Sequence, residues 1–123
     1  MPPKILIANR GEIACRIQRA CRSLGMRHVS VYTEPDAGEP HVEGADEARS
    51  LGPDPAGYLQ ADLLLAIARE TGCDAVHPGY GFLAENAVFA RAVESAGRIW
   101  IGPTPASIAD MGDKERARLL AQE

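Results

Sequence analysis

The stretch from Lys4 to Thr33, KILIANRGEIACRIQRACRSLGMRHVSVYT, decides the fold. Its first five residues, KILIA at 4–8, form an unbroken apolar run and predict a strand buried on both faces. From Gly11 to Leu24 the pattern changes period. Ile13, Ile17, Ala20, Cys21 and Leu24 recur at the spacing of one helix face. Gly25 then stands where glycine ends a helix, and HVSVYT at 28–33 predicts a second strand. Strand, amphipathic helix and strand in so short a span imply a right-handed crossover and parallel pairing.

The same alternation continues outward. Residues 34–57 are rich in Pro, Gly, Asp and Glu and read as loop, with a short strand over 48–51. The segment from Leu59 to Thr71 predicts a helix with Leu63, Leu64, Ile67 and Ala68 on one face, stopped by Gly72. AVH at 75–77 predicts a strand. Glu85 to Ala96 predicts a helix with Phe89, Val93 and Ala96 turned inward, stopped by Gly97. IWI at 99–101 predicts another strand. Thr104-Pro105 then has the form of a cap followed by proline at the first helical position. That helix is expected to break at Gly112, with Asp113 capping a further helix that runs to Glu123. The fold class is therefore α/β, a Rossmann-like three-layer domain with a mainly parallel sheet. Ligands of such sheets sit beyond the carboxyl ends of the strands. Three loops are placed there: residues 9–12, 78–83 and 102–104.

Composition narrows the function classes. A chain of 123 residues with 46% hydrophobic and 24% charged residues is one ordinary globular domain. Its net charge of -4 argues against nucleic acid and against an anionic membrane surface. No apolar run approaches the roughly 20 residues of a membrane span. Met1-Pro-Pro-Lys leads straight into the first strand and leaves no room for a signal or transit peptide, so the cytoplasm is the expected compartment. Cys15, Cys21 and Cys73 are odd in number and form no C-x-x-C, so they read as small buried residues rather than a disulfide framework or a zinc site. His28, His41 and His77 are scattered without metal-ligand spacing, and no metal site is predicted. His77 is expected to order the following loop by hydrogen bonding.

Other chemistries lack their motifs. The first turn, Ala8-Asn9-Arg10-Gly11-Glu12, holds one glycine where a dinucleotide site needs G-x-G-x-x-G. No P-loop and no G-x-S-x-G elbow occur. What remains is the Pro78-Gly79-Tyr80-Gly81 loop between a strand and a helix, which has the conformational freedom to let backbone pass close to a ligand. Lys114 follows Asp113 in the first turn of a helix, where the dipole disfavours a cation unless a phosphate lies near. Arg16 and Arg19 read as a solvated helix face, with a Glu12–Arg16 pair worth roughly 0.3–0.5 kcal/mol.

Read together, KILIANRGEIA at 4–14, ADEA at 45–48, Tyr58-Leu59, HPGYGFLAEN at 77–86, Ile101-Gly102-Pro103 and Met111-Gly112-Asp113-Lys114 resemble the N-terminal domain of biotin carboxylase, from about residue 4 to the end. The resemblance implies a pre-ATP-grasp domain over residues 1–112, with 113–123 starting a helix that leads into an absent ATP-grasp domain. It implies that the full enzyme uses ATP, Mg2+ and bicarbonate to carboxylate biotin on a carrier protein through carboxyphosphate. Carried over by motif, Lys114 would contact ATP, and Tyr80, Gly81 and Glu85 would line the biotin and bicarbonate end of the cleft. Arg16 and Arg19 would lie at a homodimer interface, against their reading as a solvated face; Ser23 stands where some members have an acidic residue of that contact. The implied partners are the ATP-grasp domain, the biotin carboxyl carrier protein, a carboxyltransferase and a second copy. The acceptor is chosen in the carboxyltransferase part. Most of the catalytic groups of the family lie later in its sequence, so this chain alone is expected to be inactive. The competing readings are a non-catalytic flavodoxin-like binding or dimerisation module and the first domain of another ATP-grasp ligase.

Overall fold

The apolar run after Pro3 becomes the central strand of a parallel sheet. A computed structural model describes residues 3–104 and 106–108. Its strands are β1 (Lys4–Ile7), β2 (Arg27–Tyr32), β3 (Glu47–Ser50), β4 (Ala75–His77) and β5 (Ile99–Trp100), in the order β3-β2-β1-β4-β5. All neighbouring pairs are parallel. The helices are α1 (Gly11–Ser23), α2 (Pro40–Glu43), α3 (Ala61–Thr71) and α4 (Ala87–Ser95). The strand order reverses direction between β1 and β4, which is the switch point where α/β sheets open a crevice.

Alternation along the strands divides the side chains between two faces. Leu6, Val29, Val76 and Trp100 stand in register across four strands and pack beneath Leu64, Ile67 and Ala68 of α3 and Phe89 and Val93 of α4. Phe89 and Trp100 meet edge to face at 5.7 Å. This is the larger core. The opposite face has a smaller one, in which Ile5, Ile7 and Ala75 meet Ala14, Ile17 and Cys21 of α1. Cys21 and Cys73 are buried and unpaired, as their spacing predicts, while Cys15 is half-buried.

Several boundaries differ from the sequence reading. Residues 34–57 are not plain loop: they hold a 3-10 turn at Glu34–Asp36, the one-turn α2, and β3 one residue earlier than expected. Turns this short have no periodicity to announce them. A 3-10 turn at Pro55–Leu59 precedes α3, which starts at Ala61. Helix α4 starts at Ala87 because the Asn86 side chain accepts from the Phe89 N–H at 3.0 Å, leaving Glu85 in a separate 3-10 turn. Ala96 is exposed, not inward: α4 closes at Ser95, with the Gly97 N–H donating to Glu94 O at 3.0 Å. In α1, Ala14, Ile17, Gln18 and Cys21 are buried, whereas Ala20 and Leu24 of the expected inward stripe are exposed. The reason is register: the buried flank of α1 is turned toward β2 and α2, where the Gln18 amide donates to Ser30 Oγ at 2.7 Å and His41 O at 2.6 Å. Thr104 does cap a helical turn, its hydroxyl accepting from Ser107 N–H at 3.1 Å. The expected break at Gly112 and the Asp113 cap lie outside the described residues.

Candidate functional site

The β1–α1 turn carries no glycine cradle, but its two polar residues organise the carboxyl edge of the sheet. Asn9 is 2% exposed. Its side-chain amide donates to Pro78 O at 2.7 Å and Tyr80 O at 2.8 Å, and its Oδ1 accepts from the Arg10 N–H at 2.8 Å. One buried amide thus pins the loop after β4 to the loop after β1. A buried amide with all these partners is a strong positional constraint. A Cβ on Gly79 would fall 2.7 Å from Asn9 Nδ2, at a φ of +66, so no side chain fits there. The freedom of Gly79 therefore serves packing against Asn9. Gly81 differs: its φ is +70, and nothing lies within 4 Å of where its Cβ would be.

The rest of the loop follows from that anchoring. His77 Nδ1 accepts from the Gly79 N–H at 3.1 Å, so the expected loop-ordering bond is present. Burial holds its pKa below the ordinary histidine value and keeps the ring neutral at pH 7. Tyr80 is thrown outward, 69% exposed. Phe82 takes a φ of +48, which a side chain rarely adopts, and its ring lies 5.5 Å from that of Tyr58. Strained residues of this kind collect at functional loops. Glu85 is exposed, beside the capped start of α4.

Arg10 points the other way along the edge. Its guanidinium makes a two-pronged pair with Asp36, at 2.6 and 2.9 Å. The Tyr58 hydroxyl donates to the same carboxylate at 2.6 Å. Arg10 holds the Asp36 carboxyl down to about 2, and the pairing drives the Arg10 pKa up. Asn9, Asp36 and Tyr58 are the residues that sequence reading missed. The available signal was Asn-Arg standing at the first strand–helix turn, where a nucleotide fold would have glycine.

The predicted site residues thus fall into three places. Tyr80, Gly81 and Glu85 come together at the carboxyl end of β4. Arg16 and Arg19 are exposed on α1, and Glu12 pairs with Arg19 at 2.8 Å rather than with Arg16. Lys114 lies outside the described residues. Among the described residues no group of three His, Cys, Asp or Glu side chains could hold a metal ion. No helix there is long and apolar enough to cross a membrane.

Comparison with known proteins agrees with this architecture. The family model described as biotin carboxylase, N-terminal domain, matches residues 1–108. The biotin-dependent acyl-coenzyme A carboxylase alpha3 subunit of Mycobacterium leprae (strain TN) is 56% identical over 120 residues, which cover 96% of this chain and 20% of that one. The solved biotin carboxylase domain of a single-chain bacterial carboxylase superposes with a TM-score of 0.89 at 54% identity, covering 98% of this chain and 28% of that one. The biotin carboxylase domain dimer of Hydrogenobacter thermophilus 2-oxoglutarate carboxylase, solved with MgADP, ADP and bicarbonate, gives 0.85 at 49% identity over 89% of this chain and 24% of that one. The chain spans between 20% and 28% of the length of these relatives.

Proposed function

The chain belongs to the biotin carboxylase N-terminal domain family, and from that premise we propose that it is the first part of an enzyme that carboxylates carrier-bound biotin with ATP and bicarbonate through carboxyphosphate. In this reading residues 1–112 are the N-terminal domain, and 113–123 lead into an ATP-grasp domain. Biotin carrier and carboxyltransferase act as partners, and α1, with Arg16 and Arg19, faces a second copy.

One observation carries the reading: the loop over residues 78–82 is fixed from below by Asn9 and leaves Tyr80 exposed at a strand's carboxyl end. Tyr80 offers a flat wall and a hydroxyl to a bicyclic ligand. Gly81 lets backbone come close. The exposed Glu85 carboxylate suits a hydrogen-bond donor, such as a ureido N–H, better than an anion. Bound MgATP would supply phosphoryl transfer. The described residues contain no carboxylate cluster for the metal, so no metal step is assigned to them. Lys114 is proposed as the phosphate contact of this chain.

The test joins this chain to the remaining polypeptide of the single-chain bacterial carboxylase's biotin carboxylase domain and compares it with the 123-residue chain. ADP release is followed with ATP, Mg2+, bicarbonate and free biotin. Only the longer protein should turn over, and Tyr80→Ala in it should lower kcat/KM for biotin roughly tenfold or more, about the 1.4 kcal/mol of a single lost contact. Turnover by the short chain above a Lys114→Ala control, or an unaffected Tyr80→Ala enzyme, would count against the proposal.

A further inference from the structure

The cluster of Arg10, Asp36 and Tyr58 has no part in the proposed reaction, yet it stands beside the loop that does. Asp36 is 8% and Tyr58 2% exposed. Two prongs from Arg10 and a 2.6 Å bond from the Tyr58 hydroxyl occupy the Asp36 carboxylate. The Thr33 N–H donates to that hydroxyl at 3.3 Å, and His41 Nε2 lies 3.5 Å from it. Bonds to an ionised acceptor are about twice as strong as neutral ones, so the polar end of the Tyr58 ring is firmly held. Arg10 keeps the Asp36 carboxyl down at about 2, so the acceptor stays ionised across the neutral range.

The body of the same ring meets Phe82, with centroids 5.5 Å apart and planes tilted by 44°. Phe82 is the one non-glycine residue with a positive φ among the described residues. Such a backbone persists only where its surroundings over-determine it. Downstream, Leu83 is buried in the larger core together with Tyr58. Upstream, Asn9 holds the carbonyls of Pro78 and Tyr80. Between these two anchors sits Gly81, which meets nothing within 4 Å of where its Cβ would be. Both anchors start from neighbouring residues of the β1–α1 turn. Asn9 reaches the first directly, and Arg10 reaches the second through Asp36 and Tyr58.

We propose that Arg10, Asp36 and Tyr58 are positioning residues for the loop after β4: Arg10 fixes Asp36, Asp36 fixes the Tyr58 ring, and the ring holds Phe82 in its left-handed conformation, which sets the path of the Tyr80–Gly81–Phe82 backbone. None of the three is assigned a contact with ligand. That the ligand of this loop is biotin rests on the proposed function; the positioning itself does not. A cluster that only tied the turn at 34–36 to the β1–α1 turn would act on the stability of the whole domain. One that acts through Phe82 loses its effect on the loop once the Phe82 ring is gone, and that dependence separates the two.

Hydrogen exchange in the 123-residue chain reads the loop without any ligand. The Ala84 and Asn86 N–H groups donate to Gly81 O and Leu83 O at 2.9 and 3.1 Å, so their exchange reports the turn that begins at Phe82. The Ala8 N–H, which donates to His77 O at 2.9 Å in the sheet, reports the domain as a whole. Tyr58→Phe keeps the ring and removes the hydroxyl. It should speed Ala84 and Asn86 roughly fivefold relative to Ala8, the effect of one lost hydrogen bond. Asp36→Asn, which loosens the same tie from the other side, should move the same amides in the same direction. In a Phe82→Gly background, where glycine takes the positive φ freely, Tyr58→Phe should add nothing at these two amides. Equal effects in both backgrounds, or equal speeding of Ala84, Asn86 and Ala8, would overturn the proposal. In the longer protein described above, Tyr58→Phe should raise KM for biotin roughly fivefold and leave KM for ATP unchanged, again only while Phe82 is present. A loop that loosens through Phe82 with KM for biotin unmoved keeps the positioning and removes biotin from this loop. A shift in KM for biotin with the loop amides unmoved overturns the positioning and leaves the proposed function standing.

Discussion

Two rows of side chains, one residue apart on the same strands, have different fates. Val29, Leu6, Val76 and Trp100 cross the sheet in register on one face and are 0%, 0%, 0% and 8% exposed. His28, Ile5, Ala75 and Ile99 cross it on the other and are 0%, 5%, 3% and 63% exposed. The first row is finished within this domain. The second starts beneath α1 and α2 among polar groups and ends in an apolar side chain that meets water. A face closed by its own helices stabilises the domain; a face left apolar and open points to what the domain is built against.

The largest effect expected from this contrast is in the closed row. Phe89→Ala removes a ring that is 1% exposed and stacked edge to face on Trp100, and should cost about 3–5 kcal/mol. Ile17→Ala on the other face should cost about 2 kcal/mol, at the low end for such truncations, because its vacancy adjoins an open groove beside α1 and can fill from there. Urea denaturation of the two variants of the 123-residue chain measures both. Equal losses would mean that the half-covered face is packed as tightly as the closed one.

How far this contrast was legible in sequence depends on the residue. The 3.6-residue period of α1 and the apolar runs at 4–8 and 75–77 give the strands, the helices and the parallel sheet, because burial of one stripe or one run leaves a periodic trace. Periodicity does not say what the stripe will meet. Ala20 and Leu24 therefore read as core yet stand exposed, and Ala96 reads as core yet lies past the end of α4. The candidate loop was legible from Pro78, Gly79, Tyr80 and Gly81, since their backbone demands are local. Asn9 was legible as a polar residue where a nucleotide fold has glycine, but its partners, which lie 69 and 71 residues away, were not. Arg10, Asp36 and Tyr58 were hidden for the same reason: a polar cluster assembled from three separate segments is a product of the fold.

A second difference between the faces is a slope rather than a step. The polar half of the α1 face buries His28 and His41, both 0% exposed. Burial lowers the pKa of each from the ordinary 6.5, against the opposing pull of Asp46 on His28 and of the Val31 backbone and Asp36 on His41. A folded pKa below the unfolded one means that the unfolded chain takes up protons that the folded chain refuses. Stability from this source is whole above the unfolded value and is lost as pH falls through 6.5 toward the lower folded values. Urea midpoints from about pH 7.5 to about pH 5.5 should therefore fall on acidification. His41→Gln should flatten that slope, and Phe89→Leu, on the closed face, should leave it unchanged. A slope untouched by His41→Gln would place the proton uptake elsewhere.

The smallest effect is the most discriminating, because it should depend on how much polypeptide is present. In the 123-residue chain Ile99→Asp exchanges one exposed side chain for another at the sheet edge, and its stability should stay within about 0.5 kcal/mol of the parent, as for Val88→Asp. If the open row is an interface, the two substitutions part company in the longer protein. There Ile99→Asp places a carboxylate against an apolar segment, with a loss of roughly 1–3 kcal/mol, while Val88→Asp remains neutral. Thermal or urea melts of four variant proteins give the comparison directly. A loss with Ile99→Asp already in the short chain would mean that Ile99 belongs to the domain's own core. Equal behaviour of both variants in the longer protein would mean that the second row stays open to water in the enzyme.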